Sequence, residues 1–222
     1  FHNLPPRQSP AQLSPDGPLS IAYGGLMFSP YKHPTSLLKR TAKHLVGQGN
    51  KPGLDTSFYS VKSLMDGLAV LCRADPAWKD RVRIHICGST HCDNVKYAEA
   101  LGLGGTLLLH GYLDHRDSLN LLLQADVLFC PMVGGCGPYR NYILPGKIFE
   151  YFALRKPVFV ITPPGSFDDL LRANGVRDLC RPNDLSGIAA CLTRLWQAKK
   201  DATLSQHLPS PPRPEYNREV QA

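Results

Sequence analysis

Short apolar runs alternate along this chain with longer stretches in which apolar residues recur every three or four positions. The runs are apolar at nearly every position, which is typical of β-strands buried on both faces. They are LSIAYGG (19–25), VRIHICG (82–88), TLLLHG (106–111), DVLFCP (126–131), PVFVIT (157–162) and a short run at 176–180. The periodic stretches predict helices at 33–46, 58–72, 93–102, 116–125, 167–175 and 185–198, and a further helix near Pro145. Strict alternation of strand and helix predicts an α/β fold, with a doubly wound, Rossmann-like parallel sheet covered on both faces.

The two ends of the chain differ in composition from the segment between them. The first 17 residues carry four prolines and little apolar periodicity, which predicts a linker over 1–17. Residues 18–198 hold the predicted elements and form one domain. Residues 199–222 are a Pro/Ser-rich tail that ends in the start of a C-terminal helix. Because the chain begins at Phe1 and shows no signal-peptide pattern, we expect it to be a piece of a longer protein.

The segment LPGKIFEYFALRKPVFVI (144–161) contains the most informative pair of residues. Lys147 and Glu150 are three positions apart and share a helix face. Pro145 suits a first helical turn, where unpaired N–H groups and the helix dipole favour an anion such as phosphate. Lys147 would add a positive charge, and Glu150 could accept hydrogen bonds from sugar hydroxyls. The alternative is an ordinary surface pair, but the helix is apolar almost all round, so we expect Glu150 to be partly buried with a partner.

Glycines cluster where the predicted strands end. In doubly wound sheets ligands bind outside the carboxyl ends of the strands, and bare glycines permit close approach of the main chain. The glycine positions at this edge are Gly24 and Gly25, Gly88, Gly111, the 134–137 loop and the 163–165 turn. Turn chemistry explains any one of them equally well. No G-x-G-x-x-G follows the first strand, which argues against a dinucleotide-binding domain.

Charge and cysteine usage narrow the class of protein. A net charge of +7 and a pI near 9.1 favour anionic partners, among them nucleotide phosphates, nucleic acid and acidic lipid surfaces. The chain has seven cysteines, an odd number, and Cys87 and Cys130 lie within strands, which predicts reduced core residues and a reducing compartment. Cys87, His91 and Cys92 could ligate a metal, but no second pair with zinc-site spacing is present, so we predict no metal site.

Several segments together resemble the C-terminal, donor-binding half of a GT-B glycosyltransferase of the retaining, family-4-like group. The segments are IAYGGLMFSPYKHPTSLLKR, RIHICG, LLLHGYLDHRDSLNLLLQADVLFCP, LPGKIFEYFALRKPVFVI and GSFDDLLRANGVRDLCRPND. They occur in the family's order between residue 20 and about residue 198, and the third and fourth are the most specific. The resemblance implies that residues 18–198 bind a nucleotide-diphosphate sugar.

The resemblance also assigns roles by position. The family's two lysines at the donor diphosphate correspond to Lys32 and Lys147, and its ribose-binding glutamate corresponds to Glu150. Tyr112 and Leu113 fall where the base is held. Together with the glycines at the sheet edge, and with Arg140 as a further positive charge in the glycine loop, the full predicted donor site is Gly24, Gly25, Lys32, Gly88, Tyr112, Leu113, Gly137, Arg140, Lys147 and Glu150. Catalytic residues are not assigned.

The implied function is glycosyl transfer to a glycan or lipid-linked acceptor, as in polysaccharide biosynthesis. No cofactor or metal is expected, because the lysines and helix-end amides would neutralise the leaving diphosphate. The acceptor site would lie in an N-terminal domain, without which we expect little turnover. We expect a cytoplasmic location, with peripheral contact to the inner membrane face, and no nucleic-acid partner. Two alternatives are a sugar-nucleotide epimerase of the same fold and a non-catalytic nucleotide-binding module; Leu26 and Tyr142, which replace an arginine and a glutamate of many relatives, favour the module.

Overall fold

The computed structural model of the chain describes residues 16–31, 54–132, 134–135 and 146–211. The predicted helix at 33–46, most of the predicted linker and the end of the predicted tail lie outside these residues. Among the described helices, none combines the length and the apolar character needed to cross a bilayer.

A six-stranded parallel sheet forms the centre of the domain, in the order β4-β3-β1-β5-β7-β8. The strands are β1 (Leu19–Gly24), β3 (Val82–Cys87), β4 (Leu107–Gly111), β5 (Val127–Pro131), β7 (Val158–Ile161) and β8 (Asp178–Cys180). The chain first builds the sheet outward on one side of β1 and then, from β5 onward, on the other side. The direction therefore reverses between β1 and β5, and the carboxyl ends of these two strands border the crevice where such sheets bind ligands.

Helices cover both faces of this sheet, as predicted. They are α1 (Lys62–Ala74), α2 (Trp78–Arg81), α3 (Asp93–Ala100), α4 (His115–Gln124), α5 (Lys147–Leu154), α6 (Ser166–Ala173) and α7 (Leu185–Lys200). One apolar cluster joins α1, α3 and α7 to alternate strand residues such as Tyr23 and Phe129, and a second joins α4, α5 and α6 to the opposite face. The doubly wound fold is thus confirmed.

The helix predicted to begin at residue 58 begins at Lys62 instead, after a 3-10 turn at Thr56–Phe58. Ser60 explains the shift, because its hydroxyl donates to the Ser57 carbonyl and accepts the Lys62 N–H. Such local side-chain bonds compete with helical hydrogen bonds. The four-residue helix α2 and a two-residue antiparallel ladder between β2 (Leu54–Asp55) and β6 (Gly134–Gly135) were not predicted.

The cysteines agree with the expectation of a reduced core. The six described cysteines are free, and Cys87 and Cys130 are buried within the sheet. Cys136 lies outside the described residues.

Candidate functional site

The carboxyl end of β1 makes a tight turn against the end of β3. Gly25 follows β1 with φ of +134°, and its N–H donates to the Cys87 carbonyl at 2.8 Å. Gly88 follows β3 with φ of +115°, and a Cβ placed on it would overlap the Gly25 carbonyl. A positive φ and this close approach both favour glycine, so Gly25 and Gly88 allow the backbone to form this turn.

Lys147, the first residue of α5, reaches across the carboxyl edge of the sheet to this turn. Its Nζ donates to the Gly24 carbonyl at 2.9 Å and to the Tyr23 hydroxyl at 2.5 Å. The same atom lies 3.9 Å from the centroid of the Tyr23 ring, within the range of a cation–π interaction. A Cβ on Gly25 would overlap Nζ, so the second glycine of the pair leaves the space that the ammonium occupies.

The electrostatic surroundings of Lys147 are unusual for a lysine. Burial lowers its pKa to about 8, and the opposing influence of Cys130, Glu150 and Cys87 is smaller. Burial raises the pKa of Cys130 to about 12, so that group remains a neutral thiol at pH 7. Among the residues that the structure describes, both acceptors bonded to the ammonium are neutral oxygens. Within the described ranges, a partly buried positive charge therefore lies at the switch point without a bonded carboxylate.

Glu150 follows one turn later on α5 and is half-buried, as the apolar helix around it predicts. Within the described part of the chain, its carboxylate forms no hydrogen bond and no ion pair with Lys147. The partner expected from the sequence is therefore not found among these residues. A carboxylate in this position can accept hydrogen bonds from a ligand beside the ammonium.

The remaining predicted donor-site residues fall into two groups. Tyr112 and Leu113 follow β4, two strands away from β1 at the same edge of the sheet, and Tyr112 is 89% exposed. Gly111 has φ of +67°, which turns the chain as it leaves β4. The other group lies outside the described residues: Lys32, Gly137 and Arg140.

Tyrosines at the turn are the residues that sequence reasoning missed. Tyr23 is fully buried, and its hydroxyl donates to the Leu26 carbonyl at 2.7 Å. The Tyr151 hydroxyl accepts the Gly24 N–H at 3.3 Å, so α5 contacts both polar groups of Gly24. The available signal was a tyrosine within a buried strand directly before two glycines, since a buried tyrosine hydroxyl normally requires a partner.

The cysteines and histidine weighed as metal ligands do not converge. Cys87 is buried and contacts the Ser118 hydroxyl at 3.2 Å, whereas His91 and Cys92 are exposed at the start of α3. His91 and Cys92 instead cluster with Asp93. In this cluster His91 Nδ1 already accepts the Asp93 N–H at 3.3 Å, and Lys96 Nζ lies 4.0 Å from the Asp93 carboxylate.

These features define the class of the protein as a doubly wound α/β domain with a cationic site at its switch point. The chain belongs to the glycosyl transferases group 1 family, whose model matches residues 57–198, well over half of the sequence. No curated protein matches the chain.

The chain is similar to solved structures of glycosyltransferases. The C-terminal domain of LpcC, a glycosyl transferase group 1 family protein from Francisella tularensis, is 11% identical with a TM-score of 0.51, covering 91% of this chain and 89% of that one. A TarM mutant from S. aureus, solved with fondaparinux, α-GlcNAc-glycerol and UDP, is 14% identical with a TM-score of 0.47, covering 86% of this chain and 31% of that one. The lipopolysaccharide outer core galactosyltransferase WaaB is 15% identical with a TM-score of 0.46, covering 86% of this chain and 46% of that one.

The present chain thus spans under a third of TarM and under half of WaaB. Its likeness over nearly the whole LpcC domain confirms the predicted fold of a glycosyltransferase C-terminal half.

Proposed function

We propose that this chain is the donor-binding part of a glycosyltransferase and binds a nucleotide-diphosphate sugar for transfer to a glycan or lipid-linked acceptor. Family membership supports the class of reaction. The observation that carries the site is the Lys147 ammonium, which lies at the switch point against the Gly24–Gly25 turn and is bonded to neutral acceptors only among the described residues. A diphosphate placed there would supply the missing negative charge.

The proposed roles follow from chemistry at each position. Lys147 holds the diphosphate and stabilises the negative charge that grows on it as the glycosidic bond breaks, so the proposal needs no metal ion. Glu150 accepts hydrogen bonds from the ribose hydroxyls. Lys32 and Arg140 add positive charge, and Tyr112 and Leu113 contact the base. Gly88 shapes the turn, and Gly137 lets the main chain approach the donor.

The wider context belongs to the same proposal. An N-terminal domain would supply the acceptor site, and transfer would retain the configuration at the sugar. The unpaired state of the six described cysteines supports a reducing, cytoplasmic location. The net charge of +7 supports peripheral contact with an acidic membrane face. The family match argues against the epimerase alternative.

Calorimetric titration of the chain with UDP, GDP and ADP tests the site. We expect saturable binding of one diphosphate and a loss of about 10- to 100-fold in affinity for Lys147→Ala, because a hydrogen bond to a charged group contributes roughly 1.5–3 kcal/mol. Glu150→Ala should cost about tenfold, since two neutral hydroxyls lose their acceptor.

Two substitutions serve as matched controls. Lys79→Ala removes an exposed lysine of α2, which precedes β3 and therefore lies at the opposite edge of the sheet, and Glu99→Ala removes an exposed carboxylate of α3. Both should bind like the wild type. Absence of binding by the folded chain, or equal losses in the controls, would contradict the proposal.

A further inference from the structure

The Tyr23 hydroxyl is the centre of a small hydrogen-bond network beneath the Gly24–Gly25 turn. It lies 2.7 Å from the Leu26 carbonyl oxygen, 2.5 Å from Lys147 Nζ and 3.1 Å from the Tyr59 hydroxyl. These partners come from three different parts of the chain, namely the turn after β1, the start of α5 and the loop before α1. One oxygen atom therefore ties together the segments that surround the candidate site.

The direction of each bond follows from the chemistry of the partners. A carbonyl can only accept, so the single Tyr23 proton is donated to Leu26. Lys147 can only donate while it is charged, and Tyr59 must then donate its own proton to Tyr23. The Tyr23 oxygen thus makes one donation and receives two, which saturates it. Burial raises the pKa of Tyr23, so the hydroxyl keeps the proton that this arrangement requires.

The same network fixes the ammonium of Lys147 without neutralising it. Two of its three N–H donors are directed to Tyr23 and Gly24, and the face of the Tyr23 ring lies beneath the charge. Among the described residues no acceptor takes the third donor. A neutral hydroxyl and a carbonyl hold the position of the cation while leaving its net charge for an incoming oxyanion.

We propose that Tyr23 is a positioning residue of the donor site, whose hydroxyl holds the Lys147 ammonium over the Gly24–Gly25 turn in the place where a nucleoside diphosphate is bound. The identity of the ligand rests on the function proposed above. The positioning itself rests on the geometry of Tyr23, Lys147 and the turn.

A second lysine–tyrosine pair in the molecule shows the contrasting arrangement. Lys62 Nζ donates to the Tyr97 hydroxyl at 2.7 Å, but it also forms an ion pair with Asp66 at 2.7 Å. Burial works most strongly against its charge, but the hydrogen bonds and the charge interactions with Asp66 and Tyr97 together outweigh burial and raise the pKa of Lys62. Tyr97→Phe therefore removes the same kind of hydroxyl from a lysine whose charge is already neutralised.

The test compares Tyr23→Phe with Tyr97→Phe in the whole chain. Phenylalanine keeps the buried ring and removes only the hydroxyl. The pKa of Lys147 is measured by NMR of protein with ¹³C-labelled lysine, its signal being assigned by its loss in Lys147→Met. In Tyr23→Phe the ammonium loses an acceptor that favours the charged form, so its pKa should fall below the wild-type value. Affinity for the diphosphate at pH 7.5 should fall about five- to tenfold.

The two readouts separate the positioning from the proposed function. An unchanged Lys147 pKa in Tyr23→Phe, or an equal change in Tyr97→Phe, would overturn the positioning role. If the wild type binds none of UDP, GDP and ADP, the proposed function fails, while the pKa comparison still decides whether Tyr23 holds the lysine.

Circular dichroism of each variant shows whether it folds. If Tyr23→Phe does not fold, Tyr59→Phe gives the second test. It removes a donor that competes with the ammonium for the Tyr23 oxygen, so Tyr23 accepts more strongly from Lys147 and the pKa of Lys147 should rise. An unchanged or lower pKa of Lys147 in Tyr59→Phe would overturn the role.

Discussion

Near the adjacent strands β1 and β5, the amino edge and the carboxyl edge of the sheet each hold a buried or partly buried lysine. The arrangements of charge around the two lysines are opposite. At the amino edge, Lys199 of α7 is 5% exposed and pairs at 2.7 Å with Asp126, which precedes β5 and is itself fully buried. Its Nζ also donates to the Pro18 carbonyl at 2.8 Å, and Asp126 accepts the Ser20 N–H. At the carboxyl edge, Lys147 is bonded to neutral oxygens only, within the described residues.

This difference separates a lysine that supports the fold from one that is suited to a ligand. The Lys199–Asp126 pair cancels its own charge and joins α7 to the start of β1. The charge of Lys147 is not cancelled by a bonded carboxylate among the described residues, and burial lowers the pKa of this lysine to about 8. Lys147 is thus a partly desolvated charge at the edge where doubly wound sheets bind ligands. A charge in such a place is typical of a functional position.

The largest expected effect is on stability at the amino edge. Lys199→Met leaves the Asp126 carboxylate buried without its counter-ion, and breaking one partner of a buried pair costs about 3–5 kcal/mol. The free energy of unfolding, measured by urea denaturation, should fall by that amount. Affinity for the diphosphate should not change in the fraction that remains folded.

Lys200→Met is the matched control for this prediction. Lys200 is the next residue of α7, and its ion pair with Asp16 is exposed, so its loss should cost less than about 1 kcal/mol. Similar losses for the two variants would show that the buried pair has no special role in stability.

The second prediction concerns the pH dependence of binding at the carboxyl edge. The ammonium loses its proton as the pH rises through about 8, whereas a nucleoside diphosphate is fully ionised well below this value. Only about a tenth of Lys147 is charged at pH 9, so affinity should be about tenfold weaker there than at pH 7. Calorimetry across this range checks it, and Lys147→Ala should show no such decline. A flat profile for the wild type would mean that the Lys147 charge does not contribute to binding.

The elements of the fold could be predicted because their signals are local. The apolar runs and the periodic stretches each identify their element from neighbouring residues alone. Asp114 likewise acts locally, since it caps α4 by accepting the Asp117 N–H. The predicted start of α1 was wrong because Ser60 forms bonds with neighbouring backbone groups. The helix α2 is only four residues long, too short for a periodic pattern to show.

The candidate site could be predicted only in part, for a different reason. Lys147 and Glu150 form a pair in the sequence, so their common face could be inferred. The contact between Lys147 and Tyr23 joins residues 124 positions apart and depends on how α5 crosses the sheet edge. Nor could the sequence show that Lys199, at the end of a long helix, finds Asp126. Charge cancellation, which distinguishes the two lysines, arises only in three dimensions.

The smallest expected effect is that of Lys147→Met on stability. Methionine removes a desolvated charge, and this gain offsets the loss of two hydrogen bonds of about 1 kcal/mol each, so the free energy of unfolding at pH 7 should stay within about 1 kcal/mol of the wild type. The pKa of Lys147 is about 8 in the folded chain and near 10.4 in an unfolded one, so the unfolded state binds more protons between these values. The wild type should therefore gain stability relative to Lys147→Met as the pH rises from 7 to 10. Urea denaturation of both proteins at these two pH values measures the change. If Lys147→Met instead lowered the free energy of unfolding by 3 kcal/mol or more at pH 7, Lys147 would, like Lys199, be a lysine that the fold itself requires.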